Sequence, residues 1–294
     1  MAGLLVWKAT SNPSGTGDPT PTASDGTDRT VGLLRERDPV CDDWERISNE
    51  LSARQEKWNS LNKGIPASKW TPDHRAIFLE TGEAMTQAAD QFESILPKAR
   101  SILLQELIAQ SIVYLRGYVT KIPTYVDRDG LLSGAAGNFG NAVTYMCSAV
   151  PILPAPGASD VVWESTVSDP STWERLMTAP DPICDEFLAL TERQKTLLGG
   201  WAVTDASIPA EEWTPKQRAL NDAVREVLKH NIPEFRRVAE KAKGRIVGDL
   251  LATQNAYMQA FADAIPTYVP DDNQLWSVSI ALGGGVGAAC KAAA

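Results

Sequence analysis

The sequence predicts an all-α protein of two tandem, duplicated four-helix up-down bundles, each closed by a disulfide between its first and last helix. Three observations carry this. First, the 294-residue chain matches itself at an offset of 143: PASKWTPDHRA at 66–76 returns as PAEEWTPKQRA at 209–219, and IPTYV at 122–126 returns at 265–269. An offset that holds from Asp38-Pro39-x-Cys41 to Cys290 marks a repeated unit of roughly 110 residues rather than a short solenoid repeat. Second, the four cysteines fall at equivalent ends of the two copies. Third, the apolar residues between them recur at helical spacing, with no strand-like alternation.

Taken in order, residues 1–8, MAGLLVWK, resemble the last turns of a hydrophobic helix and are expected to be the end of an N-terminal membrane anchor. Residues 9–37 open with a run of Ser, Thr, Gly, Pro and Asp that has little to bury, and are expected to form a flexible stalk. Repeat 1 covers 38–150, a Pro-rich connection 151–180, and repeat 2 covers 181–293.

Within repeat 1 the first helix is expected over 42–61, with Trp44, Ile47, Leu51, Trp58 and Leu61 on one face. Thr71 then makes an N-cap with Pro72 at the first helical position. The signal returns as Thr214 and Pro215, where Gln217 completes a capping box. That second helix runs to about Leu96. A third, over 98–121, has the widest apolar face and stops at the IPTYV corner. The fourth, over 131–150, is rich in Gly and Ala, as is its counterpart IALGGGVGAAC; glycine weakens a helix, so its abundance implies close backbone approach to a neighbour. Asn138, Asn141, Thr144 and Ser148 argue against this helix as a membrane span. Asp127, Asp129, Asp271 and Asp272 read as caps of the fourth helices; they lack the ligand spacing of a calcium loop. In the connection, Val161, Val162 and Trp163 are expected to pack against a domain, because an apolar patch left in water is costly.

Alternating helices bring the start of the first and the end of the fourth to one end. An ancestral single domain could only bridge its own two cysteines, which gives Cys41 to Cys147 and Cys184 to Cys290. Two alternatives stay open: the crossed pairing, Cys41 to Cys290 with Cys147 to Cys184, and four free thiols. Bridges place the chain outside the cytoplasm. At the opposite end of the bundles Trp58, Trp70 and Tyr125, and their counterparts Trp201, Trp213 and Tyr268, converge. They either plug the bundle or form an aromatic binding end.

The net charge of −9 and pI near 4.9, without a basic patch, argue against nucleic acid as a partner. No nucleophile elbow, P-loop, HExxH or dinucleotide fingerprint occurs, and His74 and His230 are not equivalent, so neither a duplicated metal site nor His-based catalysis is expected. The chain is therefore expected to be no enzyme and to hold no cofactor.

As a set, DPxC, PAxxWTPxxRA, IPTYVxxD and a terminal Cys after small residues resemble a family of uncharacterised actinobacterial, chiefly mycobacterial, envelope proteins with an N-terminal membrane anchor. The resemblance covers both repeats and implies an envelope location but no activity. In plan the chain also resembles small secreted mycobacterial haem-binding helical domains closed by one terminal disulfide. Two functions follow. One is a non-enzymatic interaction or scaffold module in the cell envelope, with another envelope protein as partner; a packed core with exposed Trp70 and Trp213 would favour it. The other is a carrier for a hydrophobic ligand, lipid or haem, held in a bundle cavity or the interdomain cleft; its mark would be a void lined by the third and fourth helices.

Overall fold

The computed structural model describes residues 26–155, 161–170, 174–201 and 203–294. In chain order it contains β1 (Thr30–Gly32), α1 (Cys41–Arg54), α2 (Glu56–Asn59), α3 (Pro72–Ile95), α4 (Ile102–Lys121), α5 (Gly130–Ala149), β2 (Val161–Glu164), α6 (Cys184–Leu198), α7 (Pro215–Lys241), α8 (Arg245–Ala264) and α9 (Asn273–Ala293). Helices α1, α3, α4 and α5 pack as one four-helix set, with α2 extending α1. Helices α6 to α9 form the second set.

The starts of α3 and α7 are built as their sequences predict. Thr71 Oγ1 accepts from the His74 N–H at 3.2 Å. Thr214 and Gln217 exchange bonds, Gln217 N to Thr214 Oγ1 at 3.3 Å and Thr214 N to Gln217 Oε1 at 3.0 Å. Such caps contribute about 1 kcal/mol each.

Disulfides join Cys41 to Cys147 and Cys184 to Cys290, each across 106 residues, with Cα atoms 5.8 and 5.5 Å apart. Loops of that length make each bridge worth up to about 4–5 kcal/mol in the chain-entropy account. The aspartate three residues before each first cysteine braces the same end. Asp38 Oδ2 accepts from the N–H groups of Arg100 and Ser101, both at 2.8 Å. Asp181 Oδ2 accepts from Lys243 and Gly244 at 3.0 and 2.9 Å. In both halves the repeated Asp thus ties the entry of the first helix to the turn that starts the third.

The two sets meet along α5 and α9, whose contact is the most extensive in the molecule. The small residues of these helices make that approach possible. A Cβ on Gly284 would meet Asn138 Oδ1 at 2.6 Å, and one on Gly285 would enter the Phe139 ring. Among the described residues one helical stretch, Pro270–Ala293, is long and apolar enough to cross a membrane, but 56% of its apolar window is buried, as in a core helix.

One sequence expectation needs correction. The stalk expected over 9–37 does not reach Asp38 as a free chain. Residues 9–25 lie outside the described residues, as does the possible anchor at 1–8. Beyond them β1 pairs antiparallel with β2, Val31 opposite Trp163, and Val31, Leu33 and Leu34 are buried. Three apolar residues in a short stretch suffice once a groove between helices receives them; composition averaged over the whole segment hid them. The connection is packed too, as expected of Val162 and Trp163, and Val167 and Met177 are buried with it. Both lead-in segments run along the seam of α4 and α8. The Leu34 N–H donates to the Tyr257 hydroxyl of α8 at 3.1 Å. The Leu176 N–H donates to Gln110 Oε1 of α4 at 2.7 Å. Each segment therefore straps the two halves together, since the first also pairs with the start of α4 through Asp28 and the second also bonds to Asp249 of α8.

Candidate functional site

The aromatic end is placed first by its own backbone. In repeat 1 the Ala67 N–H donates to the Tyr125 carbonyl at 2.8 Å, and in repeat 2 Ala210 donates to Tyr268 at 2.8 Å, joining the PAxxWTP loop to the IPTYV corner. The Trp70 indole donates to the Ile65 carbonyl at 2.7 Å and Trp213 to Ile208 at 2.9 Å. Tyr125 donates to the Lys63 carbonyl at 2.8 Å and Tyr268 to Ala206 at 2.7 Å. Arg75 and Arg218 lie over the Trp70 and Trp213 rings and donate to the carbonyls of Ala67 and Ala210. Burial pushes both Tyr125 and Tyr268 up to about 12. Trp70 and Trp213 are half-buried. The repeated phrase thus spends its polar groups on fixing its own turns.

Trp58 and Trp201 behave differently from each other. Trp58 is buried against Phe78 and Tyr118, with the Lys63 ammonium 4.2 Å from the centre of its ring. Trp201 is half-buried, its indole donating to Asn221 Oδ1 at 2.8 Å, its ring edge-on to Trp276 at 5.6 Å. The difference arises from a groove found at equivalent positions of both halves, between the first and fourth helices.

In repeat 1 this groove has a volume of about 280 Å³ and is lined by Trp44, Ser48, Leu51, Trp58, Ser111 and Ala136 among others. In repeat 2 it has about 530 Å³ and is lined by Thr191, Gln194, Leu198, Trp201, Gln254, Trp276 and Ser279 among others. The enlargement follows from the side chains. Where repeat 1 carries Leu61 and Lys63, repeat 2 has Thr204 and Ala206, so the apolar plug and the lysine stem over the tryptophan are gone. Trp276 replaces Ser133 as a wall. Gly283 of α9 lets the Gln254 amide of α8 lie against it: a Cβ there would meet Gln254 Nε2 at 2.9 Å.

The larger cavity also has a polar floor. Leu51, Ala88, Ser111 and Ala136 of repeat 1 correspond to Gln194, Asn231, Gln254 and Ser279. Asn231 donates to Gln194 Oε1 at 3.0 Å. Gln254 Oε1, Ser279 Oγ and Thr191 Oγ1 are buried atoms with no hydrogen-bond partner, although Gln254 is 5% and Ser279 1% exposed. Ser111, by contrast, donates to the Leu107 carbonyl at 2.8 Å. Buried polar atoms left unpaired cost about 1–3 kcal/mol each, a cost that a ligand can remove. Sequence reasoning missed this floor. The signal was the replacement, between copies, of Leu51, Ala88 and Ala136 by polar residues and of Ser111 by the longer Gln254 at core-facing positions.

A second buried polar cluster lies at the seam. Glu106 of α4 and Asp249 of α8, 143 apart, meet there. The connection supplies their partners: the Trp163 indole donates to Asp249 Oδ1 at 2.6 Å, and the Ser165 hydroxyl to Asp249 Oδ2 at 2.5 Å, 3.4 Å from Glu106 Oε1. Burial, and then the charge of Asp249, holds the Glu106 carboxyl well above the usual range, so this acid is protonated where an exposed one is ionised. The straps bury the pair and its partner Ser165 together. The seam that sequence reasoning offered as a ligand cleft is occupied in large part by α5, α9 and the two lead-in segments; a space of about 260 Å³ remains there between Gln110, the connection at Val167 and Leu176, and the start of α8 at Arg245.

Comparison with known proteins adds a family but no chemistry. The family model described as mycobacterial ESX-1 associated protein matches residues 20–294. An uncharacterised protein of Mycolicibacterium smegmatis is 29% identical over 286 residues, covering 93% of this chain and 76% of its own length. No solved structure matches.

Proposed function

The chain belongs to the family of mycobacterial ESX-1 associated proteins, and on that premise we propose that it is a non-catalytic interaction module serving the ESX-1 secretion or envelope system outside the cytoplasm. The observation that carries this reading is the pair of disulfides, each locking the first helix of a bundle to its last; such bridges persist in oxidising compartments. Tandem duplication of one bridged helical domain accounts for the matched Asp38 and Asp181 braces and the matched aromatic ends. A rigid frame of this kind presents a surface rather than moving a lid. Membrane attachment through residues 1–8 would hold that surface near the secretion apparatus. The apolar cavity of repeat 2 favours a second reading, in which the module also carries a hydrophobic ligand.

Alkylation of the protein in intact cells of its own host, followed by mass measurement before and after reduction, tests the location. The expected result is no alkylation until reduction, then four sites. Four thiols alkylated without reduction would place the chain in a reducing compartment and end the proposal. In-cell crosslinking then tests the partner: capture of ESX-1 components is expected, and their absence from crosslinked complexes would remove the interaction reading.

A further inference from the structure

We propose that the cavity of repeat 2 binds one neutral amphiphile, an apolar chain carrying an uncharged hydroxyl-bearing head, and that repeat 1 has no such site. The inference rests on the carrier reading and specifies its ligand.

The volume of about 530 Å³ lies in the usual range for small-molecule sites. Its walls are apolar: Leu198, Trp201, Phe235, Trp276 and Ile280. Ile280, at the mouth, is 51% exposed. The floor is polar and carries no charge. Gln254 Oε1 lacks a donor, and the Ser279 and Thr191 hydroxyls lack partners. A ligand hydroxyl both donates and accepts, so it pairs with the Gln254 amide in either orientation. A carboxylate only accepts and would be buried far from compensating charge; Lys195, the one cation among the described lining residues, is 76% exposed at the rim and 3.7 Å from Glu192. The head group therefore enters first and the chain lies along the two tryptophans.

Repeat 1 falls short in volume and in floor. Its groove has about half the volume, and where repeat 2 has Gln254 and Ser279 it has Ser111, satisfied within its own helix, and Ala136, although Ser48 Oγ and Trp58 Nε1 are unpaired there too.

Binding of monolauroylglycerol and of laurate to the oxidised full chain, each below its micelle concentration, tests this by titration calorimetry and tryptophan fluorescence. One site for monolauroylglycerol is expected, with laurate at least tenfold weaker. Gln254→Leu should weaken monolauroylglycerol about tenfold and leave laurate unchanged. Ala206→Lys, which restores the repeat 1 plug without touching the floor, should weaken both, and Ser111→Ala neither. Circular dichroism and intact bridges certify each variant as folded. Laurate binding as tightly as the glyceride, with the loss falling on Lys195→Ala instead of Gln254→Leu, would overturn the neutral head group while keeping the carrier reading. No binding of either lipid to the folded wild-type chain would overturn both.

Discussion

The grooves of the two repeats share one backbone frame and differ in filling. In repeat 1 Leu51 and Lys63, which lies over the Trp58 ring, leave a groove of about 280 Å³ beside Trp58; in repeat 2 Gln194, Thr204 and Ala206 leave Trp201 facing an opening of about 530 Å³. The lesson is that a few side-chain replacements on a four-helix frame convert core into cavity without disturbing the braces at either end. The stability of each half rests on those braces, and the freedom to build a site rests on the groove.

That division predicts unequal responses to equivalent changes, in falling order of effect. Removing either bridge, as Cys41→Ala with Cys147→Ala or Cys184→Ala with Cys290→Ala, should cost up to about 4–5 kcal/mol in urea unfolding, and about the same in each half. A much smaller loss in repeat 2 would mean that its frame, and not only its groove, has loosened. Next comes the paired tryptophan test. Trp58→Ala should cost about 3–5 kcal/mol, as for a packed aromatic, whereas Trp201→Ala should cost roughly half as much because its ring already borders space. Equal costs would show that the cavity of repeat 2 collapses in solution.

The third test concerns the seam, where the two repeats contribute unlike acids at one equivalent position. Glu106 has a raised pKa in the folded protein, so the folded state holds more protons than the unfolded one above the ordinary carboxyl value. Its contribution to stability is complete in acid and is lost as pH rises through the folded pKa. Glu106→Gln should remove that loss and flatten the pH profile of urea midpoints on the alkaline side. An unchanged profile would show the pair to be solvated. Smallest of all, Ala206→Lys should contribute about 0.5–1 kcal/mol through a cation over the Trp201 ring and reduce quenching of tryptophan fluorescence by acrylamide. Unchanged quenching would break the assignment of Lys63 as the lid of repeat 1.

Much of the frame was legible in the sequence because repetition doubled each local signal. Thr71-Pro72 and Thr214-Pro215 mark helix starts through their own chemistry, and cysteines at matched ends select one pairing. The first helix was read as continuous to Leu61, yet it ends at Arg54 with α2 following; a short break with no Gly or Pro leaves no mark in apolar spacing. The straps escaped because strands of three and four residues are too short to show alternation. Glu106 and Asp249 were visible only as polar interruptions of apolar helices, and their meeting is a fact of tertiary packing. The cavity was the least legible feature, since it consists of missing side-chain volume contributed by α6, α8 and α9 together.

The lead-in segments have a consequence for biosynthesis. Asp28 can pair with Arg100 and Ile102 once repeat 1 folds, but β1 pairs with β2 more than a hundred residues downstream and Leu34 bonds to α8, so the seat of residues 30–34 is incomplete until most of the chain has emerged. The first bridge can close while the second half is still unmade, but burial of Val31, Leu33 and Leu34 is among the last events, and contacts so distant in sequence form slowly. Until then those three residues are an adhesive tag that advertises an unfinished molecule. A chain cut after repeat 1 would wear it permanently.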